Sequence, residues 1–402
     1  MKIVISILIF ISFSYSNSLQ KAINKAKPYS TIKLSSGIYN GNIIINKPLT
    51  ILGKDSNVII KGEQKNSVVT INSSNVILKN LTITNSGNMM TSIDAGISIN
   101  NSSNCTIQNC KIIDNLYGID MNIVNNSKII NNFINSKDID ITLRGNALKL
   151  YYANNNIFNN NTINNSRDIT LNYSNNNKFA NNRFTNNRFA THIQNSHNNI
   201  LKHNTYKHNS VAIMVMGAKD MIVSNNKILS SKGAAGIGIV ISGVSNFVLD
   251  HNILKFNAKA IYIDGGEKAK GMKRYITNNT ISYNKEAIHF HQTIKDNTIT
   301  NNIFDNNIDD IVKDLAGYYS NTNIIQYNYW SYYTGFDSNK DNIGNTTHRI
   351  YQYADQLWHY NPKVKFFYAS PIMSLLNFLG QLAPFIEPSL LIEDTKPLMF
   401  KK

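Results

Sequence analysis

Residues Asn154 to Asn187 read NNNIFNNNTINNSRDITLNYSNNNKFANNRFTNN. So much asparagine suggests a polar low-complexity tract, but apolar residues recur through it at fixed places. Phe158 and Ile163 flank Asn161, Phe179 and Phe184 flank Asn182, Leu201 and Tyr206 flank Asn204, and Val223 and Ile228 flank Asn226. These four asparagines are separated by 21, 22 and 22 residues. The same frame extends back to Ile129, Asn132 and Ile134. It runs forward through Leu249, Asn252 and Leu254, then Ile276, Asn279 and Ile281, then Ile299, Asn302 and Phe304. One position departs: Cys110 stands between Ile107 and Ile112, where asparagine is expected.

A period near 22 residues, with β-branched and aromatic members and no heptad or 3.6-residue pattern, predicts coils of short strands. The expected fold is all-β, a right-handed parallel β-helix. Its coils would stack about 4.8 Å apart, bringing like over like. Apolar members would fill the bore, and asparagines would line turns and outer faces. An asparagine amide can donate to the carbonyl of the asparagine in the next coil, and asparagine also tolerates the left-handed backbone of a tight corner. One residue type is therefore expected to do both jobs.

Outside the repeat the character changes. Residues 1–16, MKIVISILIFISFSYS, have Lys2, an apolar run and small Ser14 and Ser16, the pattern of a cleaved export signal. Residues 17–53 should form an N-terminal cap and the first coils, with Leu19, Ala22, Ile23 and Ala26 on one face of a short helix that plugs the bore. The repeats would occupy 54–328. Residues 329–402 form a C-terminal extension in which Ser370 and Pro371 make a helix start, Ile372, Leu375, Leu376 and Leu379 repeat at helical spacing, and Pro384 stops the run.

With 42% hydrophobic residues the chain should bury most of its length. Its formal charge of +16 is scattered along the sequence, which suits an acidic protein partner or a membrane surface and argues against nucleic acid. Cys105 and Cys110 are the only cysteines; an oxidising compartment would allow a disulfide between them, against which stands the strand geometry over so short a spacing.

Three constellations carry candidate chemistry. Asp138 and Asp140 near Arg144, with Arg167 and Asp168 one coil later, would suit a polysaccharide lyase or epimerase, against a plain surface ion-pair ladder. His289 and His291, and likewise Met214 and Met216, sit two apart and so share a strand face. Imidazole and thioether suit copper, although methionine is more often core filler. Asp337, Asn339 and Asp341 resemble the opening of a calcium loop, but His348 stands where a bidentate glutamate is wanted, which leaves a weak site or a simple Asx turn.

Several segments together resemble the NosD family: LQKAI and INKPLTILG near the start, RGNALKLYY from Arg144, SRDITLNYS from Ser166, NRFATH from Asn187, AIYIDGG from Ala260, and the ending FLGQLAPFIEPSLL. The resemblance implies a non-enzymatic periplasmic protein working with an ABC-type permease and its ATPase in copper-centre assembly of nitrous oxide reductase. A copper chaperone would be a further partner, and copper a transient ligand. It also implies that the tail grips the permease, through Trp358, Pro371, Leu375, Phe378, Leu379, Pro384, Phe385 and Pro388. Where the family tends to carry Met two places after His192, this chain has Gln194, while Met216 does match.

Overall fold

The computed structural model describes residues 18–233, 235–264, 273–315, 317–352, 362–367, 370–382 and 388–401. The expected export signal, Trp358, Pro384 and Phe385 lie outside them. The chain forms two compact units, Met1–Asn209 and Ser210–Lys402.

The N-terminal unit opens with helix α1, Ser18–Lys25, which buries Leu19, Ala22 and Ile23. The Gln20 side chain donates to Ile44 O and accepts from Ile44 N, so its amide pairs with the edge of the strand Ile43–Ile45 as another strand would. Lys47 Nζ donates to the carbonyls of Asn24 and Ala26, the exposed acceptors at the helix end. The first coil is thus covered by helix and amide and presents no free edge there.

Beyond the cap the unit is a parallel β-solenoid, each coil giving one short strand to each of three sheets. In the first sheet the inward residues Ile51, Leu78, Ile107, Ile129, Phe158, Phe179 and Leu201 stand in one column, coil above coil. Phe158 and Phe179 stack with centroids 4.3 Å apart and planes 5° from parallel. Like-on-like register follows from the repeat, because a one-residue slip would turn every apolar side chain outward. Both cysteines are buried and unpaired, and burial pushes the Cys110 thiol up to about 12.

The corners refine the sequence-based expectation. The ladder asparagines 132, 161 and 182 are buried, rather than lining outer faces. Asn161 donates its backbone N–H (2.9 Å) and its amide (3.0 Å) to Asn182 Oδ1, and the same amide donates to Ile129 O at 2.8 Å. Left-handed backbone falls one residue earlier, at Asn131, Asn160 and Asn181, and at His203 where the repeat substitutes histidine. Two adjacent residues therefore divide what one was expected to do. Cys110 keeps only part of the pattern: its N–H donates to Asn132 Oδ1 at 2.9 Å, while its thiol has no amide to pass the ladder on.

The C-terminal unit repeats the arrangement in coils from strand Val211–Met216 onward. Val223, Leu249, Ile276, Ile299 and Ile325 form its inward column, and Phe304 stacks on Trp330 at 4.1 Å. After Trp330 the chain leaves the coil. Strand His348–Gln352 then pairs antiparallel with strand Ser389–Asp394, and helix α2, Pro371–Leu382, lies between them in sequence.

Candidate functional site

The third sheet of the C-terminal unit carries two outward columns. Met214 faces Val240, Val240 faces Tyr262, and Tyr262 faces His289. Met216, Ser242 and Asp264 form the neighbouring column. The methionine pair and the histidine pair thus lie on the same sheet, with Met214 and His289 in one column. Three coils separate them, about 14 Å at the usual strand spacing, several times a metal–ligand bond length. They cannot share one ion.

His289 is 1% exposed and held on both sides. Nδ1 contacts Glu286 Oε2, with Lys259 Nζ 2.7 Å from both groups. On the other side Nε2 lies 2.9 Å from Asp314 Oδ2, an ion-pair contact off the hydrogen-bonding line. Burial pushes the Glu286 carboxyl up, but His289 and Lys259 outweigh it and hold the group below its ordinary range. His291 reaches the surface, one-third exposed, with Nδ1 3.1 Å from the Tyr262 hydroxyl and 3.8 Å from Asp314. Burial, then Asp314 and Asp264, push Tyr262 up to about 12, so the phenol stays protonated. The sequence reading missed Lys259, Tyr262, Glu286 and Asp314. Their signal was available: in KAIYID and EAIHF the outward positions coincide once the coils are aligned.

These six groups form a connected network of charge and hydrogen bonds whose ring nitrogens are turned toward carboxylates and a phenol. Met214 and Met216 are half-buried, while the residues between and before them in the strand are buried. Among the described residues no group of three or more His, Cys, Asp or Glu is placed to hold a metal ion.

The acidic constellations resolve into local structure. Asp138 and Asp140 sit in a loop rather than alternating on a strand, so they do not present a shared carboxylate face. Asp138 lies 4.0 Å from Arg144, while Asp140 accepts from the Thr142 hydroxyl and backbone N–H. Arg144 is turned to the carbonyls of Ile139 and Asn165. Asp168 is buried against Arg188, with Arg167 Nε 3.7 Å away. Asp337 accepts from the backbone of Asp341 and Asn342, Asp341 accepts from Ile343 N, and Asn339 donates to Asp341. Those oxygens stabilise the turn they belong to. Burial drives His348 down to about 4, so it is a neutral wall residue among Trp330 and Tyr333, beside a cleft of about 800 Å³ also lined by Tyr332, Phe336 and Tyr351.

Helix α2 is the other candidate surface. Ser370 caps it, with Oγ accepting from Met373 N at 3.3 Å, and Pro371 takes the first turn. The twelve residues carry no charge. Met373 packs against Val312 and Val364, which seats the helix on the coil, but Ile372, Leu375, Leu376, Phe378, Leu379 and Leu382 are all exposed, as is Phe366 just upstream. A surface helix normally turns its apolar stripe inward, and this one does the opposite. Pro371 is exposed and Pro388 partly buried. Among the described residues no helix is long and apolar enough to cross a membrane.

Known proteins bear on this arrangement. A stretch of 146 residues is 32% identical to the probable ABC transporter binding protein NosD of Stutzerimonas stutzeri. The match covers 34% of this chain and 32% of that protein, so the chain spans about a third of the relative's length. Among solved structures, the A-module of mannuronan C-5 epimerase AlgE6 from Azotobacter vinelandii superposes with a TM-score of 0.53 at 14% identity, over 76% of this chain and 92% of that one. An N-terminal fragment of gene product 12 of bacteriophage Phi29 gives 0.55 at 15% identity, over 77% and 68%. At such identities the likeness is one of fold alone. Residues 130–335, half of the chain, match the family model described as periplasmic copper-binding protein (NosD), and with the coils, the tail and the quoted segments in place the chain belongs to the NosD family.

Proposed function

We propose that this protein is a non-enzymatic, exported component of a periplasmic ABC-type complex that supports copper-centre assembly of nitrous oxide reductase. The observation that carries the reading is α2, an uncharged helix seated on the solenoid by one methionine with six large apolar side chains facing away. Burying them against a partner is worth roughly 10 kcal/mol before association costs of similar order. The relative named as an ABC transporter binding protein supports a transporter as that partner, and the family description supports copper and the periplasm. The half-buried Met214 and Met216 and the one-third exposed His291 are the contacts we assign to copper in transit, since His289 is enclosed.

Deletion in a denitrifying host tests the reading. Reductase polypeptide should persist without its catalytic copper cluster, and a fully metallated, active reductase in the deletant would refute it. Truncation after residue 361 should release the protein from membranes. The competing reading as a polysaccharide lyase or epimerase rests on the fold likeness. It would be favoured by release of unsaturated sugars from uronate polymers that is lost in Asp138→Ala.

A further inference from the structure

The asparagine ladder of the C-terminal unit has a direction. Asn226, Asn252, Asn279 and Asn302 each donate backbone and amide N–H to the Oδ1 of the next asparagine, at 2.8–3.0 Å. Asn328 is the last of the series, so its two donors need an acceptor that a further coil would otherwise supply. Asp394 supplies it from 66 residues away. Its Oδ2 accepts Asn328 N at 3.2 Å, Asn328 Nδ2 at 2.9 Å and Trp330 Nε1 at 2.9 Å, and its Oδ1 accepts Lys396 N at 3.0 Å.

The choice of residue follows from hydrogen-bond inventory. An asparagine at this place would bring two amide hydrogens of its own with no next coil to receive them, whereas a carboxylate only accepts. Four N–H donors converge on a side chain that is 0% exposed, which is how a buried carboxylate is accommodated. Burial still raises its pKa, with the Trp330 and Asn328 bonds opposing.

Asp394 ends the strand that pairs with His348–Gln352, and α2 lies in the chain between those two strands. Lys313 Nζ donates to Ser389 Oγ at 3.1 Å, adding a second tie at the other end of the strand. We infer that Asp394 is the positioning residue that roots the α2 arm on the last coil, by standing in for the amide oxygen of a missing asparagine. Its functional meaning rests on the docking role proposed for α2; its geometry does not.

The test places nitroxide labels at Ser374→Cys on α2 and Lys227→Cys on an earlier coil of the same unit, and measures their distance distribution in the full-length protein by pulsed electron resonance. The unaltered arm should give one narrow peak. Asp394→Leu, which fills the site without an acceptor, should lose it. Asp394→Asn, which restores an amide oxygen, should recover much of it. Trp330→Phe, which keeps the stack on Phe304 and removes one donor, provides a milder lesion should Asp394→Leu unfold the unit, and should broaden the peak. A narrow peak in Asp394→Leu, or equal broadening in Asp394→Asn and Asp394→Leu, overturns the inference; so does a narrow peak in Trp330→Phe when Asp394→Leu does not fold. Failure of docking is read separately, as membrane association that survives Leu375→Glu.

Discussion

The side chain and backbone N–H of a ladder asparagine such as Asn279 take part in five hydrogen bonds: two accepted from Asn252, two donated to Asn302 and one donated to Leu249 O. Asn279→Ala leaves the backbone N–H of Asn252 without an acceptor in a dry corner, while its amide keeps the carbonyls of Val223 and Asp250, and the expected cost is roughly 2 kcal/mol, read as a lowered urea midpoint. The repeat frame singled out these positions correctly. It could not separate inner from outer asparagine at pairs such as Asn160–Asn161, because the two are chemically identical and only backbone direction tells them apart. Asp310 shows a second limit. It replaces the alanine of the preceding coil at an inward position, and burial pushes its carboxyl up to about 7, with the Asn307 bond opposing and Asp309 and Asp305 adding to the rise. The folded protein then holds this proton more tightly than the unfolded chain. Ionisation costs stability in full above about pH 7, and the cost fades as pH falls toward the ordinary carboxylate range. Asp310→Asn should abolish this contribution, so the gain in urea midpoint between about pH 8 and about pH 5 will be smaller in the variant.

At the level of elements, α2 carries its apolar side chains exposed, and the docking role proposed for it is tested there. Leu375→Glu and Leu379→Glu alter side chains that already face solvent, so the melting transition should move by no more than about 0.5 kcal/mol while membrane association is lost. Met373→Ala should behave differently, costing roughly 2 kcal/mol locally because it empties the small cluster with Val312 and Val364. The helix itself was legible from Ser370, Pro371 and the leucine spacing. Which of its apolar residues would turn inward was not, since Met373 has nothing in its local sequence to distinguish it from Ile372. Likewise the strands of the first two sheets are mostly three or four residues long. That is too short for alternation to show, and only the 22-residue period revealed them.

On the scale of the whole molecule, stability is a sum of neighbouring-coil terms. A lesion at Asn279 should therefore raise amide exchange in the flanking strands Phe247–Asp250 and Asn297–Thr300 and leave Ile222–Ser224, two coils away, unchanged. The charged network around His289 shows only once the coils are aligned on one another, whereas the bore shows in the period itself. Repetition marks what recurs, and Lys259, Glu286 and Asp314 each occur once, meeting only after the chain has wound back past itself. The same one-way chain of amides has an evolutionary corollary. An interior turn that carries the ladder asparagine presents its neighbours with the same sockets above and below, so duplicating or excising one leaves no bond open, whereas the closing carboxylate occurs where the series ends. A ladder of this kind tolerates changes in coil number, each coil gained or lost altering the length of its stack by about 4.8 Å.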